Sequence, residues 1–268
     1  MADSSYVHGY SARETVRLAD QASTLAELLH YDTAYAAGER VLECGCGTGA
    51  QTVILAASSP EARIVSVDIS AQSLAAARQR VESAGYRNVE FETADVYNLR
   101  FEPESFDHVF LCFVLEHLPR PVEALAALKR VLRPGGSLTA IEGDHGSWYC
   151  YPQTRAATRA VECLIEMQAR AGGDALIGRR LYPLLSEAGF RDVSVSPRMV
   201  YDDSSRPHLV EGFSKNTFIA MVEGVRDAAL DAGLVDATTW EQGITDLHRA
   251  TAADGTFCYT FFKATAVK

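Results

Sequence analysis

The sequence has no apolar run long enough to cross a membrane, and its first residues, MADSSYVHGYSARE, have no apolar core behind a basic start. These absences predict a cytoplasmic protein with neither a membrane span nor a secretory signal. Basic residues are also few, since 25 Lys and Arg stand against 35 Asp and Glu, a formal net charge of -10. Because nucleic-acid binding depends on cationic side chains that neutralise phosphates, this balance argues against a nucleic-acid partner.

Paired cysteines are missing as well. The six cysteines include no C-x-x-C pair, and the histidines show no ligand spacing. Cys44 and Cys46 are close enough to chelate a metal, but no second close pair accompanies them. The sequence therefore predicts no metal site, and a chain of 268 residues buries a full core without disulfides.

What the sequence does have, from residue 40 onward, is an alternation of short apolar runs with helical stretches. The predicted strands lie at 40–44, 62–67, 89–93, 106–113 and 137–142, and a further one lies around 191–200. The predicted helices lie at 50–58, 71–84 and 122–132. This order predicts an α/β fold, a Rossmann-like doubly wound sheet whose ligand crevice lies at the carboxyl ends of the strands.

The flanking segments predict a cap on this core. Residues 1–39 contain an amphipathic helix, capped by Ser11, that we interpret as an N-terminal lid. The domain of residues 40–268 then carries helical insertions at about 145–175 and 205–252. The chain closes on an aromatic run, TFCYTFFKA, that predicts a last strand.

The strongest local motif is VLECGCGTGA, in which a buried strand leads into Gly45, Gly47 and Gly49 and then a helix. Glycines let a backbone turn sharply and approach a ligand closely. Asp68 ends the next strand, where a carboxylate can accept hydrogen bonds from both ribose hydroxyls. Asp95 follows the third strand, where an adenine amino group needs an acceptor. The spacing G-C-G-T-G differs from the G-x-G-x-x-G of NAD binders, which weakens that alternative.

Five ordered blocks resemble the class I S-adenosylmethionine-dependent methyltransferase family. They are E-C-G-C-G-T-G, V-D-I-S, A-D-V, F-D-H-V-F and L-R-P-G-G, within residues 40–143. The resemblance implies a sheet of about seven strands with the last antiparallel, and S-adenosylmethionine as the cofactor. The segments H-G-Y-S, I-E-G-D-H-G-S and G-T-F-C-Y-T-F-F-K are similar to a small-molecule subgroup, some of whose members modify indole-type natural products.

The family resemblance implies a role for residues at the methionine end of the cofactor. Gly45 and Gly47 would line the methionine part, and Glu43 would shape the loop and meet the ammonium. The backbone around Cys112 would meet the amino group. Tyr10 would close the site or bond the methionine carboxylate.

At the nucleoside end, the same resemblance places Asp68 on the ribose and Ile69 against the adenine. Asp95 would take the adenine amino group, with the Val96 amide nearby.

The catalytic residues are expected just past the fifth strand, in IEGDHGSWY. His145 is the candidate base, because its unperturbed pKa lies nearest neutrality. Glu142 or Asp144 would orient and charge-stabilise its imidazole. A base is needed only if the acceptor must lose a proton, and these residues fit equally well a loop whose side chains cap the backbone.

Three further residues are candidates for contact with the acceptor. Trp148 and Tyr149 follow the fifth strand and offer aromatic surface for stacking on a planar molecule. His117 follows the fourth strand, where scaffold residues are also common.

The favoured function is methyl transfer to a small, aromatic or heterocyclic metabolite, with an indole-type acceptor included. A methyltransferase of RNA or protein, an NAD-dependent oxidoreductase and a non-catalytic adenosyl-binding protein remain alternatives, because a fold does not fix a function. Homodimerisation also stays open.

Overall fold

The most apolar segments of the chain form the middle of a parallel sheet. The computed structural model describes residues 12–268, with side chains from residue 21 onward. The strands are β1 Arg40–Cys44, β2 Arg63–Asp68, β3 Val89–Thr93, β4 Phe106–Cys112, β5 Leu132–Gly143, β6 Tyr149–Tyr151, β7 Arg191–Asp202 and β8 Thr256–Val267. Their order is β3-β2-β1-β4-β5-β8-β6, and β7 also pairs with β8.

Helices alternate with these strands. The α-helices are α1 Ala12–His30, α2 Ala50–Ser58, α3 Ala71–Ser83, α4 Pro121–Val131, α5 Arg155–Arg170, α6 Leu181–Glu187, α7 Pro207–Leu209, α8 Ala220–Gly224, α9 Arg226–Asp231 and α10 Ala237–Arg249. Three 3₁₀ turns lie at Val96–Asn98, Leu115–His117 and Ile177–Arg180, and a π-helix at Val210–Ile219. The predicted Rossmann-like α/β fold class is confirmed, with β1 to β5 paired in parallel.

One strand was not predicted. The described part of the sheet has eight strands, and β6 is the additional one. It pairs antiparallel with the beginning of β8, placing Tyr149 opposite Cys258. With only three residues, and with Tyr149 and Tyr151 exposed, it gives no apolar run that periodicity would detect.

The Pro-Gly-Gly segment lies inside β5, so the prediction that this strand starts at residue 137 is wrong. Phe106 pairs with Leu132, and two residues later His108 pairs with Ser137. Residues 133–136 therefore form a bulge, in which Gly135 has φ +76°. A Cβ on Gly136 would lie 2.8 Å from the Asp107 carbonyl oxygen, so only glycine allows this approach.

Several helices begin at capping side chains. The Ser70 hydroxyl accepts from the Ser73 N–H at the start of α3, and the Thr154 hydroxyl accepts from the Ala157 N–H at the start of α5. Pro121 opens α4, where its missing N–H costs nothing. Leu125 and Leu128 of α4 are fully buried in the core beneath the sheet, and each stabilises the fold by about 1.5–3 kcal/mol.

The described chain divides into two compact units. The sheet unit comprises Leu29–Glu142, Ile177–Pro197 and Phe262–Lys268. The helical unit comprises Gly143–Leu176, Arg198–Phe261 and the described residues up to Leu28. All six cysteines are buried and unpaired, with Cys44, Cys46 and Cys112 in the first unit and Cys150, Cys163 and Cys258 in the second.

Two sequence predictions concern residues outside the described part of the chain. Tyr10 and Ser11 both precede residue 12. Within the described part, no helix combines the length and apolarity needed to cross a membrane.

Candidate active site

The glycine loop between β1 and α2 has a backbone that other residues rarely adopt. Gly45, Gly47 and Gly49 have φ of +75°, +51° and +79°. A Cβ on Gly49 would lie 2.8 Å from the Ala77 Cα, so this position needs glycine for packing against α3. A Cβ on Gly47 would meet no described atom within 4 Å, so the loop faces open space there.

Asp68 holds this loop from the end of β2. Its Oδ2 accepts the Gly47 N–H at 2.8 Å, and its Oδ1 accepts the Ser70 N–H at 2.9 Å. A carboxylate oxygen has more than one acceptor site, so both oxygens can accept a further hydroxyl. Its position therefore suits a ligand with two adjacent hydroxyl groups.

Glu43 lies beneath the loop and is almost fully buried. Its Oε2 accepts from the Ser66 hydroxyl at 2.6 Å and the Thr52 hydroxyl at 2.7 Å. Burial raises the pKa of Glu43 to about 7, although the bonds from Ser66 and Thr52 oppose this shift. The carboxyl group thus joins β1, β2 and α2 under the loop.

A cleft of about 410 Å³ lies beyond the end of β3. Its lining residues are Ile69, Glu92, Thr93, Ala94, Asp95, Asn98 and Arg100. Ile69 is 66% exposed, which is unusual for a large apolar side chain, and Asp95 is exposed beside it. Asp95 accepts the Tyr97 N–H at 2.9 Å, and Val96 is buried. The cleft brings together an apolar surface and a carboxylate, as a planar amino-substituted base requires.

Glu142 ends β5 and reaches the turn that follows β4. Its Oε1 accepts the Val114 N–H at 3.0 Å and the Leu115 N–H at 2.8 Å. Its Oε2 is buried with no hydrogen-bond partner among the described residues. Burial, then the charge of Glu116, raises the pKa of Glu142 to about 8. Burial also raises the pKa of the neighbouring Cys112 thiol well above its usual range, so Cys112 offers its backbone rather than a thiolate.

His145 and Asp144 are both buried in the helical unit. The His145 Nδ1 lies 2.7 Å from the Tyr259 hydroxyl, and the His145 N–H donates to the Ala175 carbonyl at 2.8 Å. Asp144 shapes the loop that carries His145, because its Oδ1 accepts the Gly146 N–H at 3.0 Å. A Cβ on Gly143 would lie 2.5 Å from the Tyr259 oxygen, so glycine there makes room for the hydroxyl.

Aromatic rings surround His145 in the helical unit. This aromatic cluster consists of His145, Trp148, Phe213, Phe218, Phe257, Tyr259 and Phe261, with ring centroids 4.7–6.3 Å apart. Trp148 is partly exposed, whereas Tyr149 lies on β6 and is 53% exposed.

Sequence reasoning missed Tyr259 and Phe218 as neighbours of His145. Alternation along β8 would have placed Phe257, Tyr259 and Phe261 on one face. No pattern connects them with residue 145, because His145 and Tyr259 lie 114 positions apart with no pairing signal between them.

His117 follows β4 in the sheet unit, with its Nε2 3.6 Å from a Glu116 oxygen. Among the described residues, no group of three or more His, Cys, Asp or Glu is arranged to hold a metal ion.

Comparison with known proteins gives a concordant result. A family model described as a methyltransferase domain matches residues 41–136. An uncharacterised 37.1 kDa protein in transposon TN4556 of Streptomyces fradiae is 35% identical over 190 residues, which are 70% of this chain and 54% of that protein. The trans-aconitate 2-methyltransferase of Methylobacterium nodulans is 39% identical over 136 residues, 51% of this chain and 50% of that enzyme. The chain thus spans about half the length of these curated relatives.

A solved structure shares the fold. The phosphoethanolamine N-methyltransferase 2 of Haemonchus contortus, in complex with phosphomonomethylethanolamine and S-adenosylhomocysteine, superposes with a TM-score of 0.57 at 19% identity. The match covers 92% of this chain and 52% of that chain. Residues 41–136 thus match a methyltransferase domain, and the chain shares the fold of a methyltransferase solved with S-adenosylhomocysteine.

Proposed function

We propose that the protein transfers the methyl group of S-adenosylmethionine to a small-molecule acceptor. The observation that carries the proposal is the glycine loop held by Asp68, in the same unit as the cleft that contains Ile69 and Asp95. The acceptors named for two of the relatives, trans-aconitate and phosphoethanolamine, are small molecules, which supports a small acceptor here.

The residues present fit the cofactor. Asp68 has acceptor capacity for the two ribose hydroxyls, and Asp95 for the adenine amino group. Ile69 offers the exposed apolar surface against which an adenine ring would pack. Gly45 and Gly47 would let the loop backbone approach the methionine part, with the backbone near Cys112 at its amino group.

When bound, the cofactor supplies an activated methyl group on a sulfonium. The protein then has mainly to position the acceptor. Where the acceptor must lose a proton, we assign its removal to His145, whose Nδ1 is held by Tyr259 and whose loop is shaped by Asp144.

We further propose an aromatic or heterocyclic acceptor, with indole-type molecules included. Trp148 and Tyr149 are partly or largely exposed aromatics and would provide stacking surface, with His117 as a second polar contact. The net charge of -10 supports a small molecule over a nucleic acid as the partner.

The first experiment is calorimetric titration of S-adenosylhomocysteine into wild type, Asp68→Ala and Asp203→Ala. Asp203 is a matched control, because its Oδ1 accepts the Ser205 N–H at 2.8 Å just as Asp68 accepts that of Ser70. We expect binding that weakens at least about tenfold in Asp68→Ala, the equivalent of one lost charged hydrogen bond, and stays unchanged in Asp203→Ala. Absence of binding to wild type would contradict the cofactor assignment, and preference for NADH would favour an oxidoreductase.

Turnover is measured next, as S-adenosylhomocysteine release with acids, phenols, amines and indoles. We expect release with one class, lost in His145→Ala if that class must be deprotonated. Retained turnover in His145→Ala with such an acceptor would contradict the role of His145. Binding without release across the panel would favour a non-catalytic binder.

A further inference from the structure

The turn after β4 is built on an unusual backbone. Phe113 has φ +58°, although it is not glycine, and its N–H donates to the Ile141 carbonyl at 2.9 Å. The chain then leaves the sheet, and the next two N–H groups have no strand to pair with. Glu142 supplies their acceptor, since one carboxyl oxygen takes both the Val114 and the Leu115 N–H.

The same turn touches the glycine loop. A Cβ on Gly45 would lie 2.6 Å from Val114 Cγ2 and 3.1 Å from Val114 Cγ1. The Val114 side chain therefore occupies the space directly beside the Gly45 backbone. Any movement of the turn that displaces Val114 changes the boundary of the loop at its methionine end.

Glu142 is suited to hold this turn as a neutral group. It is fully buried, its Oε1 makes both bonds, and its Oε2 has no hydrogen-bond partner in the described part of the chain. Burial raises the pKa of this carboxyl to about 8, which favours its protonated form near neutral pH. A protonated carboxyl retains one carbonyl oxygen, which is all that two N–H donors need.

We infer that Glu142 is a positioning residue for the cofactor, which fixes Val114 against Gly45 through its two bonds to the turn. This role rests on the proposed function only in taking S-adenosylmethionine as the ligand. It differs from the charged partner of His145 that the sequence predicted, because it requires an acceptor oxygen and no charge.

Two substitutions at residue 142 test separately whether the acceptor oxygen or the negative charge of the carboxyl group is needed. Glu142→Gln keeps a carbonyl oxygen in the same place, whereas Glu142→Leu keeps the volume and removes the acceptor. With S-adenosylhomocysteine titrated by calorimetry, we expect Glu142→Gln to bind within about twofold of wild type and Glu142→Leu at least about tenfold more weakly, since two buried N–H groups lose their partner. Wild-type affinity in Glu142→Leu, or equal losses in both variants, would overturn the inference.

Asp202 provides the matched control. It is 1% exposed, its Oδ2 accepts the Ser214 hydroxyl at 2.6 Å, and its Oδ1 has no hydrogen-bond partner among the described residues. Asp202→Asn and Asp202→Leu thus disturb an equally buried carboxyl that bonds to Ser214 rather than to the Val114 and Leu115 N–H groups. We expect both to bind S-adenosylhomocysteine as wild type does, and a loss in Asp202→Leu equal to that in Glu142→Leu would count against a specific role.

Val114→Ala tests the contact between Val114 and the Gly45 backbone. It remains informative if Glu142→Leu does not fold. We expect weaker S-adenosylhomocysteine binding, because the methyl groups that bound the loop at Gly45 are gone. Unchanged affinity in Val114→Ala would overturn the inference. Failure of wild type to bind at all would instead count against the proposed function, so the two failures are distinguishable.

Discussion

The cleft beyond β3 in the sheet unit and the aromatic cluster of the helical unit differ in how much of their surface is left open. In the cleft, Ile69 is 66% exposed and Asp95 is exposed as well, so apolar and polar surface is left open. In the cluster, Phe218 and Tyr259 are at most 1% exposed, and every ring packs on another. A ligand would cover the open surface of the cleft, whereas the rings of the aromatic cluster already cover one another. Changes in the cleft should therefore alter ligand affinity more than stability, and changes in the cluster the reverse.

The largest effect is expected in the cluster. Phe218→Ala removes a fully buried ring that lies 4.9 Å from Phe257 and 5.6 Å from Tyr259. Because a cavity remains, we expect the free energy of unfolding to fall by about 3–5 kcal/mol, measured by urea denaturation. Ile69→Ala should change it by less than about 0.5 kcal/mol while weakening S-adenosylhomocysteine binding. Similar losses of stability in Phe218→Ala and Ile69→Ala would contradict the proposed difference between the cluster and the cleft.

A smaller loss tests the polar pair within the cluster. Tyr259→Phe keeps the ring but removes the hydroxyl that lies 2.7 Å from His145 Nδ1. We expect a cost of about 1–3 kcal/mol in unfolding free energy, since a buried ring nitrogen loses this bond. Tyr182→Phe, at a tyrosine that is 59% exposed, is the control and should be neutral. Equal stability of Tyr259→Phe and wild type would show that the bond contributes nothing.

Two glycines, one in the glycine loop and one outside it, extend the comparison. Gly47 and Gly38 have φ of +51° and +78°, and a Cβ on either would meet no described atom within 4 Å. Alanine at each should cost a similar amount of stability, about 1–2 kcal/mol, because both conformations disfavour a Cβ. Only Gly47→Ala should weaken S-adenosylhomocysteine binding, by about tenfold. Equal affinities of Gly47→Ala and Gly38→Ala for S-adenosylhomocysteine would show that this ligand does not bind at the glycine loop.

The last expected effect is on the pH dependence of stability. The Glu142 carboxyl has an ordinary pKa of 4.5 when the chain is unfolded and about 8 when folded, so only the folded state holds its proton in between. Its contribution is complete below pH 4.5 and is lost as the pH rises through 8, with a slope of at most about 1.4 kcal/mol per pH unit.

The window for this measurement is pH 6.5–8. Burial lowers the pKa of His30 to about 4 from 6.5, which makes stability rise with pH, but only below this window. Glu43, whose pKa is about 7, adds to the falling slope. We expect Glu142→Gln to flatten the decline and Glu90→Gln, at an exposed position, to leave it as in wild type. An unchanged slope in Glu142→Gln would mean that this carboxyl titrates alike in both states.

Local signals were enough to predict most strands of the sheet and the loops at their carboxyl ends. The loop at Gly45 and the strand-end carboxylate of Asp68 follow from short motifs, because glycine geometry and strand order are local properties. The bulge around Gly135 and the three-residue β6 were missed, since pairing register depends on a partner strand that composition does not reveal.

The contacts behind the candidate site were beyond sequence reasoning for a related reason. The bonds from Val114 and Leu115 to Glu142 join residues 28 and 27 positions apart, and the bond between His145 and Tyr259 spans 114. Such pairs appear only when packed elements bring distant residues together. The ten-residue π-helix Val210–Ile219, which carries Phe213 and Phe218, likewise looks like an ordinary helix in its sequence pattern.

The buried cysteines allow the opening rate of each of the two units to be measured separately. Each unit holds three thiols, all within the interior, and none can react with a modifying reagent until its surroundings open. Pulsed alkylation followed by peptide mass spectrometry would therefore give a separate labelling rate for the cysteines of each unit. If ligand binding slows labelling of Cys44, Cys46 and Cys112 more than that of Cys150, Cys163 and Cys258, the native chain itself reports which unit the ligand stabilises.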